Sequence, residues 1–386
     1  MQKNEKKEYD CSVQKHPDIN NEGDPVEQYL MGLAYLNGDG VEKNKEKAIE
    51  LLSSSIAAKY HEMTRPALEL LIRVYKNEHN NDMLSILYKQ MSDYLFSTHG
   101  EDNIDALDYQ VKLALCYKSK GRKDEAMSLM TEAYDRKCEL LGENSPSTVR
   151  TLCAKLKLYN TSDGDAFFDM IDEAGEKIDA IKDIDDDNVV NALYNYASVL
   201  DDFYGHSAFS VYEEIRDWVQ KFKGPGSDDY LHILSELGDI YYELELYDEA
   251  IETGEEFYSY ACDNHGAEDK YTLAIYENLA KVYFFNENFD EAALRLKKLA
   301  DVYERQEKEP KILAETYYNM ALCYYCKKDF DNAINSVQKS CDLCALSGIE
   351  NDKLTNYSRN LLFALKNKAG HMFMFTRWQN VWGIMN

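Results

Sequence analysis

The chain has 386 residues, with 43 Lys+Arg against 70 Asp+Glu and a formal net charge of −27. Eighteen glycines and six prolines are too few to punctuate a large all-β chain, so long helices are the first expectation. A hydrophobic share of 45% excludes wholesale disorder, and the anionic balance excludes ordinary nucleic-acid binding, which needs clustered cations.

In chain order, Met1 to Asp10 is charged and lacks the apolar stretch of a secretory signal, and residues 1–24 are expected to be disordered. Residues 25–61 read as a helical hairpin. Leu30-Met31-Gly32-Leu33-Ala34-Tyr35 leads through Asn37-Gly38-Asp39-Gly40-Val41 towards Lys47-Ala48. Glycines in such a loop tolerate positive φ. The segment is similar to a Sel1-like repeat, from which it departs at Ser55-Ile56, where an Ala pair is usual.

Beyond residue 62 a period emerges. Small residues at Ala114, Ala154, Ala197, Gly238, Ala280 and Ala321 are spaced 40, 43, 41, 42 and 41 apart. Twelve positions after each stands Ala126, Ala166, Phe209, Ala250, Ala292 or Ala333; three positions after four of them stands Tyr117, Tyr241, Tyr283 or Tyr324. This spacing predicts two antiparallel helices whose small side chains allow an approach of about 8 Å, with Tyr filling the neighbouring hole. Asp290 and Asp331 stand at the expected N-caps of two second helices.

These residues resemble the tetratricopeptide repeat, and the period resembles its kinesin-light-chain-like subclass. Leu141-Gly142-Glu143-Asn144-Ser145-Pro146-Ser147-Thr148 looks like that subclass's inter-repeat linker, with Ser where His usually stands. Ile72, Tyr75 and Leu84 mark one more degenerate unit. The resemblance implies an all-α fold, an α-solenoid in which antiparallel helix pairs stack into a right-handed superhelix. About seven repeats are expected over 62–350, then a capping helix over 351–369 and an aromatic tail over 370–386.

Chemical motifs are sparse. Cys323-x-x-Cys326 and Cys341-x-x-Cys344 have near-ribbon spacing, but a hairpin separates the pairs by about 15 Å at 1.5 Å per residue, so buried thiols are expected rather than zinc. Asp183, Asp185 and Asp187 imitate a calcium loop whose sixth and twelfth places are Asn188 and Tyr194, the wrong residues. No nucleophile elbow, phosphate loop or metal-binding His pair appears, so neither catalysis nor a cofactor is expected. Nine scattered cysteines without a signal favour reduced thiols in a cytoplasm, and no window is apolar enough to span a membrane. Residues 161–190 hold 11 acids and 2 bases, and residues 224–269 hold 14 acids and no Lys or Arg. Such faces keep a protein soluble and speed the approach of a basic partner.

Two positions before the small residue stand Asn195, Asn278 and Asn319, with Glu236 and Lys112 breaking the row. The resemblance implies that this row faces a concave groove, where an amide bonds the backbone of an extended peptide. Tyr194, Tyr242, Phe284, Tyr318, Tyr325 and Lys281 are the expected neighbours in that groove. In the tail, Trp378, Val381, Trp382 and Met385 follow helical spacing, so the expectations are packing on the capping helix, partner binding or self-association, and weak attachment to a membrane surface. Folding back into the acidic groove as a competitor is a further expectation for it. The sequence therefore reads as a non-catalytic adaptor for a protein or peptide with basic or apolar residues. The alternatives are a receptor that changes pitch on binding a short peptide, and a self-assembling structural protein.

Overall fold

The computed structural model describes residues 24–57, 61–160, 163–204, 208–347 and 353–367. The tail with Trp378 and Trp382, and all of 1–24 except Asp24, lie outside these residues. The described regular elements are all helices, seventeen in number, in two compact units dividing at Gly142.

The first unit holds α1 (Pro25–Asn37), α2 (Lys45–Ala57), α3 (Thr64–Asn77), α4 (Asn81–His99), α5 (Ile104–Ser119) and α6 (Lys123–Leu141). Each packs on its neighbours in the chain, so the unit is a stack of three hairpins. A β-carbon on Gly32 would meet Leu52 at 2.8 Å, so only glycine lets α1 and α2 approach so closely. Gly38 and Gly40 turn the α1–α2 loop with φ of 85° and 72°. The Lys137 ammonium is completely buried against Asp108.

The second unit begins with α7 (Pro146–Leu156), α8 (Asp165–Ile181), α9 (Asp187–Tyr204) and α10 (Phe209–Phe222). It continues with α11 (Asp228–Glu243), α12 (Tyr247–His265), α13 (Lys270–Phe285) and α14 (Phe289–Arg305). It ends with α15 (Pro310–Cys326), α16 (Phe330–Leu346) and α17 (Lys353–Lys366). From α9 onward, stacking again follows chain order, and α17 rests on α16. The 11-residue α7 packs chiefly on α9 and only lightly on α8.

The small residues of the period lie in this stack as their spacing requires. Ala114, Ala154, Ala197, Ala280 and Ala321 are all buried, as are Ala126, Ala250, Ala292 and Ala333. Two positions slip. Ala166 is exposed because the buried stripe of α8 runs through Phe167, Ile171, Ala174 and Ile178. Ala208, rather than Phe209, is fully buried at the start of α10, in line with Val211 and Ile215.

The caps also shift. Asn288 accepts from the Glu291 N–H, and Asp329 from the Asn332 N–H, so each helix starts earlier than Asp290 and Asp331 suggest. The cause is the turn, where Glu287 and Lys328 adopt left-handed φ of 58° and 62° and bring the helix start forward. Asp290 instead pairs with Lys327 of the following hairpin. The same link recurs one period earlier, from Asn286 Nδ2 to Asp248 at 2.8 Å, and in the first unit, from Lys120 to Asp82 at 2.8 Å.

The recurring tyrosine does more than fill a hole. Tyr241 donates its hydroxyl to Glu213 at 2.6 Å, and Tyr283 donates to Glu255 at 2.7 Å, each partner lying 28 positions upstream on the preceding hairpin. Charge-assisted bonds of this kind are stronger than neutral ones. Part of the acid excess thus serves as acceptors between repeats.

Candidate functional site

The first helices of three successive hairpins, α9, α11 and α13, carry most of the expected groove residues. Between α11 and α13 lies a recess of about 210 Å³ floored by α12. Its floor is apolar: Leu234, Ala250, Phe257, Ile275, Leu279 and Val282. Its polar residues are Ser235, Asp239, Asn278 and Lys281, with the Tyr242 ring beside them.

Two glycines shape it in opposite ways. A β-carbon on Gly238 would meet nothing within 4 Å, so that position opens the recess. One on Gly254 would strike Leu279 at 2.7 Å, so that position lets α12 and α13 close beneath it. Lys281 Nζ stands 4.3 Å from the Tyr242 ring centroid, a cation–π pair. Tyr242 also meets the Phe285 ring edge-on at 5.5 Å, which fixes its plane. Burial lowers the Lys281 pKa against the pull of Asp239, and burial together with Glu243 raises that of Asp239.

On the other side of α11, Tyr194 faces Tyr212 edge-on at 6.5 Å, and Tyr212 donates to Asp201 at 2.9 Å. Asp201 Oδ1 and Glu236 Oε2 are buried and lack hydrogen-bond partners. Burial raises the Glu236 pKa and Asp201 adds to the rise, while His232 and the Tyr194 hydrogen bond oppose it. Burial, then the charge of Glu236, raises the pKa of Tyr194.

The expected site residues therefore divide. Asn278, Lys281 and Tyr242 meet at one recess. Asn195 and Tyr194 are half-buried on α9, and Tyr325 is half-buried on α15 beside Phe330 at 6.0 Å. Phe284, Tyr318 and Asn319 are buried at 7, 4 and 4% exposure, so they are packing residues and not open groove surface. Phe284 is held edge-on by Phe289 at 5.3 Å, and Tyr318 lies close to Tyr357 of α17. Sequence reading missed Asp239, Ser235 and the role of Glu236. The signal was present as a carboxylate interrupting the Asn row and as opposite charges, Asp239 and Lys281, one period apart.

The cysteine pairs and the acidic loop have structural surroundings. Cys323 and Cys344 are buried, and burial raises the pKa of Cys323 and pushes the Cys326 thiol up to about 11. Asp183 pairs with Lys221 at 2.7 Å, and Asp187 pairs with Lys223. Among the described residues no group of three or more His, Cys, Asp or Glu is placed to hold a metal ion, and no helix is long and apolar enough to cross a membrane.

No match to the sequence was found among the curated proteins. Among solved structures, the chain is similar to nearly identical TPR-like repeats of a candidate kinesin light chain from Podosopora anserina. That match has 16% identity over 64% of this chain and 98% of that one, with a TM-score of 0.37. It is similar to BtubC (BKLC) from P. vanneervenii at 18% identity, covering 63% of this chain and 92% of that one, with a TM-score of 0.38. It is also similar to a signal transduction ATPase with a tetratricopeptide repeat sensor from Pyrococcus horikoshii, at 16% identity, 92% of this chain, 51% of that one and a TM-score of 0.46. The tetratricopeptide repeat family profile matches residues 107–147 and 271–345, and the chain carries tetratricopeptide repeats over those two stretches.

Proposed function

We propose that the chain is a non-catalytic adaptor that holds an extended peptide segment of a partner protein across α9, α11 and α13. The observation that carries this reading is the convergence of Asn278, Lys281 and Tyr242 on one recess with an apolar floor. An exposed amide offers a donor and an acceptor to a passing main chain, whatever its side chains. Half-buried rings already fixed by neighbours add contact area with little further loss of rotamer freedom. Asn195 stands two repeats along the same row and supplies a second clasp. Buried thiols at Cys116, Cys153, Cys323 and Cys344 support a reducing, cytoplasmic setting.

The test is affinity capture from native lysate, read by mass spectrometry, with wild type and an Asn195→Ala/Asn278→Ala double variant of matched melting temperature. A protein held by wild type and lost from the variant supports the groove. Proteins that survive the double substitution move the working surface elsewhere.

A further inference from the structure

We infer that the peptide taken by this face pairs one apolar side chain, seated in the recess beside Gly238, with a Lys or Arg two or three residues away, seated over Glu236 and Asp201. The inference rests on the adaptor reading and specifies its ligand. The recess, of about 210 Å³, exceeds the roughly 150 Å³ of an apolar cavity that admits a benzene ring, so it has room for a Leu, Met or Phe side chain. Nothing of the protein's own stands within 4 Å of the missing Gly238 β-carbon, and the floor offers only apolar contacts.

Charge selects the second residue. Residues 224–269 carry no Lys or Arg at all, and Lys281 is engaged by the Tyr242 ring and lies beside Asp239. On the α9 side of α11, Tyr194 hydrogen-bonds the Glu236 carboxyl and Tyr212 donates to Asp201 Oδ2. Glu236 Oε2 and Asp201 Oδ1 nevertheless remain acceptors without donors, a costly state that a visiting ammonium or guanidinium relieves at the partly exposed Glu236 side chain. His232 Nδ1 lies 3.8 Å from the other Glu236 oxygen and leaves Oε2 unmet. The two seats flank one helix. Packed helices lie about 8–10 Å apart, and an extended chain advances about 3.3 Å per residue, which sets the spacing at two or three residues.

The test uses the full chain against a displayed library of random dodecapeptides, followed by fluorescence anisotropy on the enriched sequences. The expected result is enrichment of an apolar residue with Lys or Arg two or three positions away. Gly238→Leu, which fills the recess, then weakens those peptides about tenfold or more. Glu236→Gln removes the preference for Lys or Arg over Gln and leaves the apolar preference intact. Gly238→Ala, which leaves most of the recess open, controls for folding. Enriched peptides that lack the pair, or ignore Gly238→Leu and Glu236→Gln yet fail on Asn195→Ala/Asn278→Ala, overturn this inference and leave the adaptor reading standing. Failure to enrich any peptide, or binding indifferent to all these variants, overturns both.

Discussion

The recess beside Gly238 and the packed end around Tyr318 occupy equivalent places in hairpins two periods apart, yet one is open and the other is core. At α11 the small residue is glycine, and the next first helix leaves a gap above α12. At α15 the small residue is Ala321, fully buried, and α17 brings Tyr357 close to Tyr318. The same row position holds an exposed Asn278 in one hairpin and a buried Asn319 in the other. A repeat's register thus says which side chains align; whether an aligned side chain meets solvent or a neighbour is decided by the next helix in the stack.

The comparison is broken most severely by truncating each aromatic. Tyr318→Ala empties a buried site and is expected to destabilise the second unit by about 3–5 kcal/mol, measured by urea unfolding. Tyr242→Ala, half-buried at the recess, is expected to lose about 1 kcal/mol of stability and most peptide binding. Equal losses of stability would erase the distinction between the two ends.

The paired glycines give the next effect. Gly254→Ala must displace Leu279 and should destabilise by about 1–3 kcal/mol. Gly238→Ala meets open space on a helix and should stabilise by about 1 kcal/mol, which a melting curve resolves.

Asn319 sharpens the buried end. Its Oδ1 is buried without a partner, so Asn319→Leu should stabilise by about 1 kcal/mol, whereas Asn278→Leu should leave stability nearly unchanged. Destabilisation by Asn319→Leu in a thermal melt would mean that this amide is satisfied after all.

Acid titration gives the smallest effect. Burial raises the pKa values of Glu214, Glu236, Asp239 and Glu277. A carboxyl raised in the fold binds its proton more tightly there than in the unfolded chain, so its contribution is greatest at low pH and is lost as pH rises through the folded value. The melting temperature should therefore climb slightly as pH falls from neutral towards the ordinary carboxylate range. It should turn down below the ordinary carboxylate range. There Asp183 and Asp329, held low by Lys221 and Asn332, become protonated. A flat profile from neutral to mildly acid pH would remove these carboxyls from the balance.

Much of the fold was legible because a period needs only residue size. Ala280 and Ala321 announce helix crossings wherever they fall, and both are buried. Caps were less legible, since Asn288 and Asp290 are both good cap residues and only the left-handed turn at Glu287 chooses between them. The slip at Ala166 and Phe209 falls where α7 is short and packs on α9, so the local stack is not the one the regular repeats imply. At the site, Asn278, Lys281 and Tyr242 were found from their register. Phe284, Tyr318 and Asn319 share that register but are buried, Phe284 under the nearby Phe289 and Tyr318 beside Tyr357 of α17, and no periodic pattern contains that packing.

The links that run from one hairpin to the next have an evolutionary consequence. Asp248-Glu249-Ala250 and Asp290-Glu291-Ala292 are the same tripeptide, and each Asp receives its donor from the hairpin that follows. Loss of residues 249–290 in a single event would join Asp248 to Glu291 and present Lys327 with an Asp in the place of the one removed. Duplication of that stretch would do the converse. The chain can thus be lengthened or shortened by whole periods while each turn keeps a partner, so reach along a ligand is a property that recombination can tune without rebuilding the fold.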